Sequence, residues 1–202
     1  MDAFCKDGKF YSINNIYFDT ENNDLIRTSI DKPAYKEKLR LRSYGVPEFN
    51  DIVFLEIKKK YNGIVNKRRT LLKLNQAYDF LFDGIMPSEG DYLNAQVLKE
   101  LKFFMEFYNP VAKLFLAYDR VAMFGKDDEN LRITADRNIR TRRYDLRLED
   151  GDYGDKLLQD GQVLIEIKTA SSFPVWLVDI LTELDMKGTS FSIWYGIQTI
   201  YG

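Results

Sequence analysis

The chain has 202 residues, of which 45% are apolar and 30% charged, and its formal net charge is −2. This length and composition predict one folded domain over residues 1–202 and exclude a disordered chain. The sequence has no histidine and one cysteine, Cys5, which excludes histidine-based triads and zinc sites built from thiolate or imidazole. Any metal must therefore bind to oxygen ligands, which favours Mn²⁺ or Mg²⁺.

Neither a membrane segment nor an export signal is predicted. No run of about 18 apolar residues occurs, and the first eight residues lack the apolar core of a signal peptide. We therefore expect a cytoplasmic protein without direct membrane insertion.

Positive charge is concentrated in residues 32–73, which contain twelve Lys or Arg and four Asp or Glu. That stretch has a formal charge of +8, and the rest of the chain has −10. This asymmetry predicts an anionic ligand bound by a localised basic surface, and the acidic remainder argues against nucleic acid as a partner.

The first part of the chain is rich in β-branched and aromatic residues or alternates in polarity, which predicts strands over 13–19, 35–44, 51–61 and 64–72. The last two flank Asn62-Gly63, a dipeptide typical of a two-residue hairpin turn. We expect these two strands to be antiparallel neighbours.

Helical patterns follow over 75–82, 91–108 and 175–184, and strand patterns return over 114–124, 131–136, 144–148 and 162–169. In the longest helix Val97 and Leu101 lie on one face, and Asp91 is placed to cap the start. The order of elements predicts an α+β fold with an antiparallel sheet and packed helices.

Charged residues two positions apart share one face of a strand. Such faces carry Lys38, Arg40 and Arg42 in the second strand, Glu56, Lys58 and Lys60 in the third, and Glu166 and Lys168 in the last. For any single strand, the alternative is an ordinary sheet whose wet face carries cross-strand Glu–Lys pairs. The cations exceed their acidic partners, however, and a sheet curled with this face inward would bind phosphate groups.

Three further observations extend this hypothesis. Arg120 and Arg132 lie in apolar strand contexts and fit the same lumen. The strand after the hairpin adds Lys67 and Arg68, and which of them points inward stays open because a bulge would exchange the two. The glutamates would be metal ligands, since a divalent ion commonly bridges a carboxylate and substrate phosphates.

Six segments carry a family resemblance when taken together and in order. They are Ile13 to Thr20, Tyr35 to Gly45, Phe54 to Tyr61, Tyr118 to Arg120, Leu131 to Thr134 and Ile165 to Thr169. In this order they resemble the VTC domain, a polyphosphate polymerase domain of the CYTH-like, or triphosphate tunnel metalloenzyme, superfamily.

The resemblance implies an antiparallel β tunnel barrel that binds ATP and polyphosphate. With Mn²⁺ or Mg²⁺ it would transfer the terminal phosphoryl group of ATP to a growing polyphosphate chain. By similarity, phosphates would be gripped by Arg40, Arg42, Lys58, Arg120 and Arg132, with further contacts from Lys38, Lys60 and Lys67. Glu166 would hold the metal beside Lys168, and Glu56 would be chiefly a charge partner.

Two departures from the family pattern leave alternatives open. The family usually begins with a further strand, and it usually has a lysine where this chain reads Phe191-Ser192-Ile193-Trp194. We therefore expect a tunnel that lacks the first strand, with an exposed sheet edge that could support a homodimer. The alternative functions are a triphosphatase of the same superfamily and a non-catalytic domain that binds polyphosphate or inositol phosphates.

Overall fold

In the residues that the structure describes, the fold is one antiparallel sheet of eight strands with four helices. The computed structural model describes residues 8–31, 33–88, 90, 92–170 and 172–188. The elements are β1 (Tyr11–Asp19), α1 (Asp24–Ile30), β2 (Tyr35–Tyr44), β3 (Ile52–Tyr61), β4 (Ile64–Lys73), α2 (Leu74–Asp83), α3 (Ala95–Tyr108), β5 (Val111–Phe124), β6 (Arg132–Arg142), β7 (Asp155–Lys156), β8 (Val163–Lys168) and α4 (Val175–Glu183). The predicted α+β class with an antiparallel sheet is confirmed.

The strands follow the order β4-β3-β2-β1-β5-β6, and both β7 and β8 pair with the outer edge of β6. Within the described ranges, β4 forms no hydrogen-bonded ladder with β7 or β8. The sheet is therefore not closed there into the hydrogen-bonded barrel that the family resemblance implies. The sheet nevertheless curves. This is shown by a single cavity that residues of both β4 and β8 line.

The β3–β4 hairpin confirms the prediction from Asn62-Gly63. Tyr61 pairs with Ile64, and the two turn residues have φ angles of 45° and 86°. A two-residue turn of this kind needs positive φ at both positions, which asparagine and glycine accept most readily. The hairpin register places the charged residues of both strands on one face.

The two faces of the sheet have different roles. The convex face is mostly apolar, and Leu39, Leu41 and Leu55 pack there against residues of α2 and α3. The concave face carries the charged residues in alternate positions. This division positions the site, because burial of the convex face forces the intervening side chains inward.

Local side-chain hydrogen bonds fix the starts of two helices. Helix α1 was not predicted from the sequence, and the Asp19 carboxylate accepts the backbone N–H groups of Leu25 and Ile26 at its start. Helix α3 begins at Ala95 after Asn94, whose side chain accepts the N–H of Val97. The predicted cap Asp91 lies outside the described residues.

Residues 144–148 were predicted as a strand and form a loop instead. The side chain of Arg142 is fully buried and donates to the backbone carbonyls of Asp145, Arg147 and Tyr153. These carbonyls therefore accept hydrogen bonds from a guanidinium rather than from a neighbouring strand. No helix in the described part of the chain is long and apolar enough to cross a membrane.

Candidate functional site

The concave face of the sheet encloses a cavity of about 1330 Å³. Among the described residues, ten cationic and three acidic side chains line it: Lys38, Arg40, Arg42, Lys58, Lys67, Arg69, Arg120, Arg132, Lys168 and Lys187, with Glu56, Asp136 and Glu166. They come from β2, β3, β4, β5, β6, β8 and the segment after α4. Such an excess of positive charge in a concave site favours an anionic ligand.

The structure brings together all but one of the residues predicted for the site. The exception is Lys60, which shares the concave face by register but lies opposite Lys36 toward the hairpin end, outside the cavity lining. The strand parity left open by the sequence is settled. Lys67 faces the cavity, and Arg68 faces the other way to pair with Glu100 of α3.

Glu56 organises the wall formed by β2, β3 and β4. Its side chain is 3% exposed, and its two oxygens lie 2.6 Å from Arg40 Nε and 2.7 Å from Lys67 Nζ. Burial alone would raise the pKa of Glu56, but the charges of Arg40, Arg42 and Lys67 outweigh it and lower the pKa to about 2. Glu56 therefore stays ionised, and each of its two oxygens already pairs with a cation.

A second ion pair fixes the opposite wall. Arg120 of β5 and Asp136 of β6 are directly opposite in the ladder, and they form a bidentate pair at 2.6 and 2.7 Å. Burial would lower the pKa of Arg120, but the hydrogen bonds to Asp136 and the negative charges nearby, including Asp136 and Glu166, raise it. Asp136 was not predicted, because its partner lies on another strand and the sequence does not give the register.

Two tyrosines contact arginines of the cavity, the partly buried Tyr17 and the buried Tyr118. Tyr17 accepts a hydrogen bond from Arg40 at 3.3 Å, and Tyr118 accepts one from Arg42 at 3.0 Å. Burial would raise the pKa of Tyr17, but the charges of Arg40, Arg42 and Lys38 outweigh it and lower the pKa. Burial raises the pKa of Tyr118. Neither tyrosine was predicted as a site residue, because aromatic residues are common in strands.

Lysines face one another across three strands near the hairpin end of the sheet. In the ladders Lys36 is opposite Lys60, Lys38 is opposite Lys58, and Lys58 is opposite Lys67; we call these five residues the lysine row. Neither Lys38 nor Lys58 forms an ion pair within the described ranges. Like charges directly opposite each other are destabilising, so this row favours an anion between its members.

Glu166 differs from Glu56 in being accessible. Its side chain is 49% exposed, and one oxygen lies 3.2 Å from Lys168 Nζ. Across the β6–β8 ladder lies Thr134, whose buried hydroxyl has no hydrogen-bond partner in the described structure. The described residues contain no group of three or more acidic, histidine or cysteine side chains that could hold a metal ion. A Mg²⁺ or Mn²⁺ ion fits here only with one protein carboxylate, water and ligand phosphates, which is a common arrangement for Mg²⁺.

Acid is expected to destabilise the fold through Glu56. Its pKa in the folded protein is about 2, against a usual value of 4.5. Because the folded-state value is the lower one, this group stabilises the fold above about pH 5 and loses that contribution as the pH falls toward 2. The loss is about 3 kcal/mol. Urea unfolding between pH 7 and pH 2.5 measures it, and Glu56→Gln should show a shallower slope. Equal slopes in the two proteins would contradict the assignment.

The fold and the site together define a class of protein. An antiparallel sheet that curves around a cavity dense in arginine and lysine, with helices on its outer face, is a triphosphate tunnel fold of the CYTH-like type. The family model described as the VTC domain matches residues 1–201, and the chain therefore belongs to the VTC domain family. The resemblance inferred from the sequence is confirmed.

One solved structure supports the fold, and a second is more distantly similar. A candidate adenylate cyclase from Bacillus halodurans has a TM-score of 0.59 at 16% identity, over 98% of this chain and 86% of that one. A candidate adenylyl cyclase from Hippeastrum, described as having a dominant triphosphatase activity, has a TM-score of 0.48 at 13% identity, over 95% and 83%. No curated protein matches the chain in sequence.

Proposed function

We propose that this domain is a metal-dependent polyphosphate polymerase, which transfers the terminal phosphoryl group of ATP to a growing polyphosphate chain. The observation that carries the proposal is the cavity lining, where ten cations converge against three carboxylates among the described residues. This excess suits a ligand with many negative charges, because guanidinium forks match phosphate oxygens and ammonium groups add point charges. Membership of the VTC domain family supports the same class of ligand.

The residues of the cavity would act mainly by position and charge. Arg40, Arg42, Arg120 and Arg132 would hold the triphosphate, with Lys58 beside them. In the transfer, the bond from the γ-phosphorus to the bridging oxygen breaks, and the terminal oxygen of the polyphosphate forms the new bond while ADP leaves. A terminal phosphate is largely ionised at neutral pH, so the acceptor needs no general base. This suits a chain without histidine, since phosphoryl transfer depends on alignment and charge neutralisation.

Glu166 is the residue proposed to hold Mn²⁺ or Mg²⁺. Its carboxylate is half exposed and has one ion-pair partner, whereas both oxygens of Glu56 are held by cations. When bound, the ion would neutralise charge on phosphate oxygens. Lys168, next to Glu166 on the same face, would contact the same phosphates.

The lysine row supports a polymeric acceptor. It continues the basic lining toward the hairpin end, where Lys36 and Lys60 lie opposite each other beyond the cavity. Two residues along a strand span about 7 Å, so the row offers further cations to a chain longer than a triphosphate. A nucleotide alone would leave these outer lysines without an anion.

Product analysis tests the proposal. Incubation with ATP and Mn²⁺ is expected to give ADP and long-chain polyphosphate, measured by gel electrophoresis and phosphorus NMR. Arg42→Ala should give no product. The control is Lys102→Ala, because Lys102 is an exposed residue of α3 that pairs with Glu106, and it should behave as the unmodified protein.

Two results would overturn polymerase activity in favour of the other functions. ADP with free phosphate and no polymer would show a triphosphatase, in which water replaces the acceptor. Tight binding of triphosphate without any turnover would show a non-catalytic binding domain.

A further inference from the structure

We infer that Asn15 is a positioning residue that makes Arg42 the principal anchor of the phosphate chain, by holding the guanidinium through an uncharged oxygen. The inference rests on the proposed binding of phosphates in this cavity. It concerns a residue on β1, the strand at the centre of the sheet, that carries no charge of its own.

The orientation of Asn15 is fixed by the neighbouring strand. Its side chain is fully buried, and its Nδ2 donates to the backbone carbonyl of Leu116 on β5 at 3.1 Å. The amide oxygen must then point the other way, where it accepts a hydrogen bond from Arg42 Nε at 2.8 Å. Asn15 and Arg42 are directly opposite in the β1–β2 ladder, so the contact follows from the register.

The second partner of Arg42 is also uncharged. Arg42 Nη2 donates to the hydroxyl of Tyr118 at 3.0 Å, and Tyr118 is 4% exposed. Because burial raises the pKa of Tyr118, its phenol stays neutral. The ring of the same tyrosine lies 5.0 Å from the guanidinium carbon of Arg120. One side chain therefore supports arginines from both walls of the cavity.

Arg40 and Arg120 are held differently. Each donates to a carboxylate, Glu56 in one case and Asp136 in the other, so a phosphate that approaches either must compete with a negative charge already in place. Arg42 forms no ion pair in the part of the chain that the structure describes. It is buried and has N–H groups left over, since a guanidinium has five. Of these three arginines, Arg42 is therefore the one at which a phosphate gains most.

Asn15→Asp is the decisive variant, because it adds a carboxylate of nearly the same shape beside Arg42. We expect the affinity for inorganic triphosphate, measured by calorimetry without metal, to fall by about 10- to 100-fold, the range of one charge-assisted contact. The variant also loses the Nδ2 donor to the buried Leu116 carbonyl, so its melting temperature is expected to fall, and affinity is compared at a temperature where it is folded. The dependence of affinity on ionic strength should become shallower.

Asn14→Asp is the matched control. Asn14 is equally buried, its Nδ2 donates to the Gly45 carbonyl, and it lies on the opposite face of β1. The variant makes the same change of charge and loses the same kind of donor, yet it should bind triphosphate as the unmodified protein does. An equal loss in both variants, or no loss in Asn15→Asp, would overturn the inference.

Asn15→Ala tests the same inference if Asn15→Asp does not fold. It removes the neutral Asn15 acceptor of Arg42 without changing any charge, so affinity should fall several-fold while the salt dependence stays unchanged. Unmodified affinity in Asn15→Ala would overturn the inference. If the unmodified protein itself does not bind triphosphate, the proposed function fails first, and the inference fails with it.

Discussion

Glu166→Gln is expected to abolish the metal dependence of the protein while leaving its fold intact. The amide has no charge to offset the loss of water from a divalent ion, so it cannot replace a carboxylate that bridges metal and phosphate. Changes to groups that merely support metal ligands cost about 10- to 100-fold in affinity, and removal of the ligand itself should cost at least that. Because Glu166 is half exposed, its loss should leave the melting temperature unchanged.

Two measurements check this result independently. The first is the gain in triphosphate affinity on titration with Mn²⁺, which should disappear in Glu166→Gln. The second is triphosphate binding without metal, which should persist or strengthen because the cavity loses one negative charge. A metal response of normal size in Glu166→Gln, or an equal loss in Glu56→Gln, would remove Glu166 from the metal site.

Glu56→Gln is expected to be the most destabilising single change in the site. It leaves Arg40 and Lys67 facing each other without the buried carboxylate that now contacts both. Breaking a buried ion pair by removing one partner costs about 3 to 5 kcal/mol. Inorganic triphosphate should restore much of this stability, because its oxygens supply the missing negative charge. Thermal unfolding with and without triphosphate measures both effects.

Glu37→Gln provides the contrast for this experiment. Glu37 is also buried, but it lies on the convex face, where it accepts a hydrogen bond from Tyr108 and lies 3.5 Å from Lys59. Its loss should destabilise the fold in a way that triphosphate does not rescue. If triphosphate rescued both variants equally, or neither, the cations around Glu56 would not be a binding site for phosphate.

Strand alternation and turn chemistry were enough to predict much of this molecule. The alternation in β2 and β3 assigned Arg40, Arg42 and Glu56 to one face, because burial of the apolar residues between them leaves no other arrangement. The Asn62-Gly63 turn then fixed β4 as the neighbour of β3. Both predictions rest on local rules that act within one hairpin.

The unpredicted parts of the site depend on contacts between distant strands. Asp136 meets Arg120 from 16 residues away, and Asn15 meets Arg42 from 27 residues away. Nothing in the sequence near either residue reveals the register that makes these pairs. Neutral residues such as Asn15 also carry no charge signal, so their effect on an arginine becomes visible only in the folded structure.

Successive cations of β3 and β4 point alternately into the cavity and toward acidic residues on the convex side of the sheet. Lys67 and Arg69 line the cavity, while Arg68, between them, pairs with Glu100 of α3. In β3, Lys58 lines the cavity, and the next residue, Lys59, faces Glu37 on the other side. An insertion or deletion of one residue in either strand would therefore exchange ligand-facing and helix-facing cations at every later position. These strands tolerate substitutions and length changes of two residues, but not of one. A one-residue change would alter ligand binding and helix packing together, so the two properties are coupled in evolution.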